Sequence, residues 1–189
     1  MNKEFDYIVI GAGIAGCCLA YFLSKYSKSI LLIDRNSQVA FGASGAAGAF
    51  LSPLLGKPND FKDLVTKSLI FSTNFYKNLG EELVSNCGVC RIPKNEEDRD
   101  KFESYKPYMD FKYTQMDDGY FFEIGSQVTP SLICEKLTKD IEKKLSYNVI
   151  KLEQNENSTW IINDEICAKN IILTTGADVK HIKEEYFDI

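Results

Sequence analysis

Three glycines and one aspartate carry the chemistry that this chain displays most openly. Gly11, Gly13 and Gly16 stand in Gly11-Ala12-Gly13-Ile14-Ala15-Gly16, directly after the apolar run Ile8-Val9-Ile10. Eighteen residues after Gly16, Leu31-Leu32-Ile33 ends in Asp34. Each residue type has a job toward a phosphorylated ligand. Gly11 permits a turn at positive φ, where a Cβ would clash. Gly13 lets backbone approach a pyrophosphate, and Gly16 lets the next helix lie close to the strands. The first-turn N–H groups of that helix, at Ile14 and Ala15, lack intrahelical partners. They face the phosphates with the positive end of the helix dipole behind them. Asp34 can accept hydrogen bonds from both ribose hydroxyls and repels a 2′-phosphate. Strand, glycine turn, helix, strand and acid follow in the order of a dinucleotide-binding unit, and the acid argues against an NADP-type ligand.

The neighbouring elements must hold those residues in place. A helical pattern without Pro runs from Cys17 to Tyr26, and Ala20, four residues after Gly16, keeps it close to the sheet. Arg35-Asn36-Ser37-Gln38 is a polar turn after the second strand. In Phe41–Phe50 seven of ten residues are Gly or Ala. Its centre, 42–48, reads as a ligand-contacting loop in which Ala43, Ser44 and Gly45 approach the ligand and Ser44 donates from its hydroxyl. A flexible linker would be more polar. Residues 7–23 are mostly apolar, and Ile14-Ala15-Gly16-Cys17 has the form of a lipoprotein cleavage box. Glu4 and Asp6 ahead of the run, and the glycines within it, favour a buried strand and helix over a leader. The run is also short for a membrane span.

Composition narrows the class. The chain has 189 residues, 44% hydrophobic and 26% charged, enough for a globular, soluble domain with a real core. A net charge of −5 without a basic cluster argues against a nucleic-acid surface within these residues. The six cysteines (17, 18, 87, 90, 134 and 167) are expected to be reduced thiols of a cytoplasmic protein, with Cys17 and Cys18 on the buried first helix. Cys87-Gly88-Val89-Cys90 is a single CxxC without a second pair at zinc-ligand spacing, so it reads as two small residues in a strand and no metal is expected. With one histidine, His181, a Ser-His-Asp arrangement or a His-rich metal site is implausible, and His181 is expected at the surface.

Farther along, apolar residues at three- and four-residue steps predict a helix over 61–79. Asn59-Asp60 can cap it and Gly80 can end it. Its stripe of Phe61, Leu64, Val65, Ser68, Leu69, Ser72, Phe75, Tyr76 and Leu79 is expected to face the core. A strand at 88–93, a charged helix at 95–106 and aromatic strands within 107–124 make a second, smaller lobe. Thr129 as N-cap and Pro130 as first helical residue start a helix predicted to reach Leu145, with Ile133, Leu137, Ile141 and Leu145 inward. Strands are predicted at 147–153, 159–163 and 165–168. Residues 170–173 are read as a buried strand leading into Thr174-Thr175-Gly176-Ala177.

On these residues the chain resembles the FAD-dependent D-amino-acid oxidase and glycine oxidase family over almost its whole length. The features that carry it are the fingerprint with Asp34, the 42–48 loop, the piece from Gly125 to Pro130 before a helix, the strand holding Val149, and Thr174-Thr175-Gly176. The resemblance implies an α/β fold: a Rossmann-like FAD-binding domain with a βαβ start and parallel sheet, and an inserted α+β substrate lobe. It divides the chain into 1–58 and 126–189 for FAD and 59–125 for the lobe. It implies FAD as cofactor, with the ribose on Asp34 beside Arg35 and the loop at Ala43, Ser44 and Gly45 near pyrophosphate and flavin. The Val149 backbone would hold adenine, and Thr175 and Gly176 would lie near the cofactor.

Within the family, Gly42-Ala43-Ser44-Gly45 followed by Pro53-Leu54-Leu55, the aromatic helix from 61 and the Trp160 strand resemble one subgroup. That subgroup is the FAD-dependent half of bifunctional tRNA-modifying enzymes, which removes the carboxymethyl group from carboxymethylaminomethyl-uridine at the wobble position. Ala46-Ala47-Gly48 departs from it, because the subgroup is polar there. The companion methyltransferase domain is expected to be absent, since the fingerprint begins at residue 8. Family members continue well past the Thr-Thr-Gly turn, and their carboxylate-gripping residues lie there. The chain is therefore expected to be truncated, its catalytic residues beyond Ile189 and its open sheet edge completed by another chain.

The implied activity is FAD-dependent oxidation of a CH–NH bond in tRNA or in a small-molecule amine, with no membrane role. A hydride passes from the carbon beside a neutral amine to the flavin, and water hydrolyses the imine. A glycine or D-amino-acid oxidase acting on free amino acids and a non-catalytic FAD-binding fragment are the rivals. An NAD-dependent dehydrogenase is disfavoured by the 42–48 loop and the interrupted α/β order.

Overall fold

The structure, a computed structural model, describes residues 4–178. The chain begins with β1 (Glu4–Ile10), α1 (Ile14–Leu23), β2 (Ile30–Ile33), a single helical turn α2 (Ala43–Ala46) and β3 (Phe50–Leu51). It continues through α3 (Asp60–Leu79), β4 (Val84–Ser85), β5 (Val89–Arg91), α4 (Glu96–Tyr105), β6 (Thr114–Met116), β7 (Gly119–Phe122) and β8 (Ser126–Val128). It closes with α5 (Pro130–Leu137), β9 (Glu142–Lys144), β10 (Leu152–Gln154), β11 (Trp160–Ile162), β12 (Ile166–Leu173) and a 3-10 turn at Gly176–Asp178.

These elements form two compact units, Met1–Ala47 with Pro130–Ile189, and Gly48–Thr129. The expected boundaries at 58 and 125 fall instead at 47 and 129. The cause is pairing: β3 and β8 join each other, Phe50 opposite Gln127 and Leu51 opposite Ser126, inside the second unit's own sheet.

The first unit is a six-stranded sheet ordered β10-β11-β12-β1-β2-β9. β12, β1, β2 and β9 run parallel, while β10 and β11 form an antiparallel meander with β12. Central parallel strands are covered on both faces and need continuous apolar runs. Ile8-Val9-Ile10 and Ile30-Leu31-Leu32-Ile33 supply them, and all seven are buried. Each such side chain stabilises by roughly 1.5–3 kcal/mol when fully buried. Register sets Ile10 beside both Ile33 and Leu173. The three strands therefore end level, and the turns that follow them lie side by side. The β11–β12 turn places Asn163 and Asp164 at φ 49° and 59°, the signature of a type I′ hairpin turn.

Several sequence expectations shift. The 42–48 stretch contains the helical turn α2 rather than loop throughout. The helix from Pro130 stops at Leu137, not Leu145. Thr138 Oγ1 donates to the Cys134 carbonyl at 2.8 Å, and the Lys143 ammonium binds the Thr138 and Ile141 carbonyls, closing the helix end. The chain then pairs with β2 as the charged edge strand β9. Ile133, Leu137 and Ile141 are buried as expected, but Ile141 lies in the turn and Leu145 beyond the strand. Residues 147–151 are not strand, and the segments read as 165–168 and 170–173 are one strand, β12. Cys17 is buried while Cys18 is only half-buried.

The second unit holds α3, α4 and two three-stranded sheets, β3-β8-β4 and β5-β7-β6. Phe102, Tyr120 and Phe122 form its aromatic core with Tyr113 and Phe111 against them. Asn59 caps α3 by accepting from the Lys62 N–H at 3.0 Å, and Asn95 caps α4 by accepting from Asp98 at 2.9 Å. The predicted stripe of α3 holds in part: Leu69 and Tyr76 are buried and Val65, Ser72, Phe75 and Leu79 half-buried, whereas Phe61 and Leu64 are 65% and 60% exposed and Lys62 and Thr73 take inward positions. A lysine can occupy an inward position here because its ammonium reaches the Tyr108 carbonyl and Asp110.

All six cysteines are free, with Cys90 on β5 and Cys87 just before it, both exposed. Among the described residues no group of three His, Cys, Asp or Glu side chains could hold a metal ion. No helix among them is long and apolar enough to cross a membrane. His181 lies outside the described residues.

Candidate dinucleotide site

The turn after β1 is built by backbone contacts that side chains would prevent. Gly11 sits at φ +111°, and its N–H donates to the Ile33 carbonyl at 2.8 Å. A Cβ on Gly11 would lie 2.5 Å from the Thr174 carbonyl oxygen. A Cβ on Gly16 would lie 1.8 Å from the Gly11 carbonyl oxygen and 2.6 Å from Thr174 Oγ1. Only glycine lets α1 start this close to the strand ends. Thr174 Oγ1 donates to the carbonyls of Ile10 (3.0 Å) and Gly11 (2.8 Å), and its N–H donates to Ile10 at 2.8 Å.

Gly13 is the N-cap of α1, and no side chain caps it there. The Ile14 N–H donates to Ser44 Oγ at 3.0 Å, so α2 presents a hydroxyl oxygen at the helix N-terminus. A Cβ on Gly13 would come within 3.2 Å of that oxygen. Ser44 was expected to donate; here it accepts, and its own hydrogen remains available for a ligand oxygen. Gly45 lets α2 pack down, since a Cβ there would lie 2.1 Å from the Ala40 carbonyl oxygen. Ala43 opens the same helical turn.

Asp34 does structural work that the spacing did not reveal. Its Oδ2 accepts from the Ala12 N–H at 2.6 Å, and Oδ1 accepts from the backbone and side chain of Asn36 at 2.8 and 2.9 Å. Three of the roughly four lone-pair directions of a carboxylate are thus taken. One is left for a ribose hydroxyl in this arrangement, where both hydroxyls were expected to bond. Arg35 is exposed beside it.

Val149 reaches the same corner through the chain. The Tyr147 N–H donates to the Asp34 carbonyl at 2.9 Å, and Val149 packs half-buried on the sheet core. Thr175 and Gly176 follow Thr174 directly, Gly176 at φ +61°. The Thr175 hydroxyl is buried and has no hydrogen-bond partner. Such a group is costly to leave unpaired, and a polar ligand at the strand ends would satisfy it. The structure thus brings Gly11, Gly13, Ile14, Ala15, Gly16, Asp34 and Ser44 around one turn. Ala12, Asn36 and Thr174 join them; level strand ends in parallel register are the signal that places Thr174 there. Beneath the turn, Cys17 Sγ donates to the Ala12 carbonyl at 3.3 Å, and contact with Cys134 together with burial pushes the Cys17 thiol pKa up.

Fold and turn together define an α/β protein with a dinucleotide cradle. The FAD dependent oxidoreductase family matches residues 6–187, and the chain belongs to it. The tRNA 5-methylaminomethyl-2-thiouridine biosynthesis bifunctional protein MnmC of Campylobacter fetus is 23% identical over 82% of this chain and 26% of its own length. Glycine oxidase of Bacillus subtilis is 33% identical over 47% of this chain and 23% of its own length. The crystal structure of glycine oxidase from Geobacillus kaustophilus superposes with a TM-score of 0.80 at 13% identity, covering 97% of this chain and 58% of that one. The chain thus spans about a quarter of each of those two curated relatives and just over half of the solved oxidase. FAD is the family's cofactor, and the α1 N-terminus topped by the Ser44 hydroxyl, the glycine contacts and the orphaned Thr175 hydroxyl fit such a group.

Proposed function

We propose that this chain carries the FAD-binding part of an oxidoreductase that oxidises a secondary amine, its substrate being carboxymethylaminomethyl-uridine at a tRNA wobble position. The observation that carries the reading is the sequence similarity to the tRNA-modifying relative, which extends over 82% of the chain. When bound, FAD supplies the acceptor for the hydride of the CH–NH bond. The chain's own residues bind and orient it. The amides of Ile14, Ala15 and Gly16 and the hydroxyl of Ser44 would hold the pyrophosphate, with Ala43 and Gly45 framing that hydroxyl. Asp34 and Arg35 would hold the ribose end, the Val149 backbone the adenine, and Thr175 and Gly176 the far side of the cofactor. Gly11 and Gly13 keep side chains out of the cradle. A tRNA substrate agrees with free cysteines and a cytoplasmic setting.

A second reading, oxidation of glycine or a D-amino acid, is favoured by the Bacillus subtilis similarity and the glycine oxidase fold. One experiment separates them. The FAD-loaded chain is incubated with tRNA bearing the carboxymethylaminomethyl group, and digested nucleosides are weighed by mass spectrometry. Parallel reactions with glycine and D-alanine are followed by peroxide release. Loss of the carboxymethyl group supports the first reading, and turnover of free amino acids alone supports the second. Turnover of neither with FAD bound supports the third reading, a non-catalytic FAD-binding fragment.

A further inference from the structure

We propose that a cleft at the far end of α1 is a contact site for an RNA backbone; the proposal rests on the tRNA reading above. The cleft has a volume of about 540 Å³ and lies where the C-terminal ends of α1 and α5 meet. In sequence Lys25 and Lys28 stand far from Lys136, so no basic cluster shows. Parallel pairing of β2 with β9, Leu31 beside Glu142, sets the two helix ends next to each other. Three ammonium groups then line one cleft, with Asp140 and Glu142 on the α5 side.

This mixture of charges selects among ligands. A simple anion would meet the lysines but be repelled by both carboxylates. A sugar–phosphate strand presents acceptors and donors alternately. Its phosphate oxygens suit lysines, while its 2′-hydroxyls and base amino groups donate to carboxylates. Aromatic surface lies alongside. Lys25 Nζ sits 4.1 Å from the Tyr21 ring centroid, and Tyr26, next to Lys25 in the chain, is 87% exposed. A tyrosine so exposed between two lysines is a stacking platform for an unpaired base.

The test uses the 189-residue chain loaded with FAD and a fluorescein-labelled anticodon stem–loop RNA, with anisotropy measured across a salt series. The double variant Lys25→Glu/Lys28→Glu is expected to bind RNA about tenfold or more weakly at low salt. Its slope of log K against log salt should fall by about two. Lys25→Arg/Lys28→Arg should bind like the parent, and unchanged FAD uptake in both variants confirms folding. Inorganic phosphate at millimolar concentration should compete poorly. Equal RNA affinity and slope in the charge-reversed variant, or no RNA binding by the parent, overturns the cleft. A parent that binds RNA through the cleft but leaves the modified uridine intact overturns the substrate reading and not the cleft.

Discussion

The Thr174 hydroxyl donates to the Gly11 carbonyl at 2.8 Å across 163 residues of sequence. The same oxygen fills the space a Cβ on Gly16 would need, 2.6 Å away. The first turn of the chain is therefore held from outside by the end of β12, and the cradle cannot keep its shape without that strand.

Replacing Thr174 by Val removes the hydroxyl donor and keeps the shape. One hydrogen bond, shared between the Ile10 and Gly11 carbonyls, is lost, a cost of about 1 kcal/mol. Thr174→Ser retains the donor and should recover most of it. Urea unfolding of the three proteins checks the order, and equal midpoints for Val and Thr would refute the tie.

Gly16→Ala tests the close approach itself. The added methyl would lie 1.8 Å from the Gly11 carbonyl oxygen, so α1 must move. Overpacking of this kind costs about 1–3 kcal/mol, and the moved helix should also lose FAD uptake, read as flavin absorbance after gel filtration. Gly13→Val differs. Its nearest obstacle is Ser44 Oγ at 3.2 Å, so the domain should stay folded while FAD uptake falls.

The glycines and Asp34 were legible because a tight turn and a close helix leave no choice of residue. Register was not: nothing local in Thr174 says that it ends level with Ile10. The helix predicted to Leu145 failed because Ile133, Leu137, Ile141 and Leu145 keep a four-residue step through a turn and an edge strand. On α3 the apolar spacing fails at the first turn, where Phe61 and Leu64 are exposed and Lys62 turns inward because it finds Asp110, a partner 48 residues away that no local pattern reports. The basic cleft stayed hidden for the same reason, since its lysines meet only after β2 and β9 pair.

Asp34→Ala should lower FAD affinity and stability together. It removes the acceptor for the Ala12 N–H and for two donors of Asn36. Hydrogen bonds to a charged group contribute about 1.5–3 kcal/mol each, less where water can replace them. Flavin fluorescence titration and thermal melting read the two effects. A variant with normal stability and weak FAD binding would show that the carboxylate serves the ligand alone.

Tyr147, whose N–H binds the Asp34 carbonyl, gives a pH signature. Burial, and next the Glu165 carboxylate beside it, push its phenol from 10.0 up to about 12. A folded pKa above the unfolded one stabilises fully below pH 10, and that contribution disappears as pH rises from 10 through 12. Stability of the parent should therefore fall more steeply than that of Tyr147→Phe across that window, measured by urea unfolding at fixed pH values.

The corrected face of α3 makes opposite demands on neighbouring residues. Leu69 is 5% exposed and Phe71 58% exposed, only two positions apart on one helix. Leu69→Ala leaves a cavity and should cost about 2–5 kcal/mol. Phe71→Ser removes little buried area and should change stability by no more than about 0.5 kcal/mol. Lys62→Met falls between them. It removes the partner of Asp110, but that carboxylate is 40% exposed and regains water, so the loss should be about 1 kcal/mol rather than the 3–5 kcal/mol typical of a fully buried pair. Chemical denaturation of the three variants settles which stripe packs inward. A large loss from Phe71→Ser with a small one from Leu69→Ala would overturn the inward face described for α3.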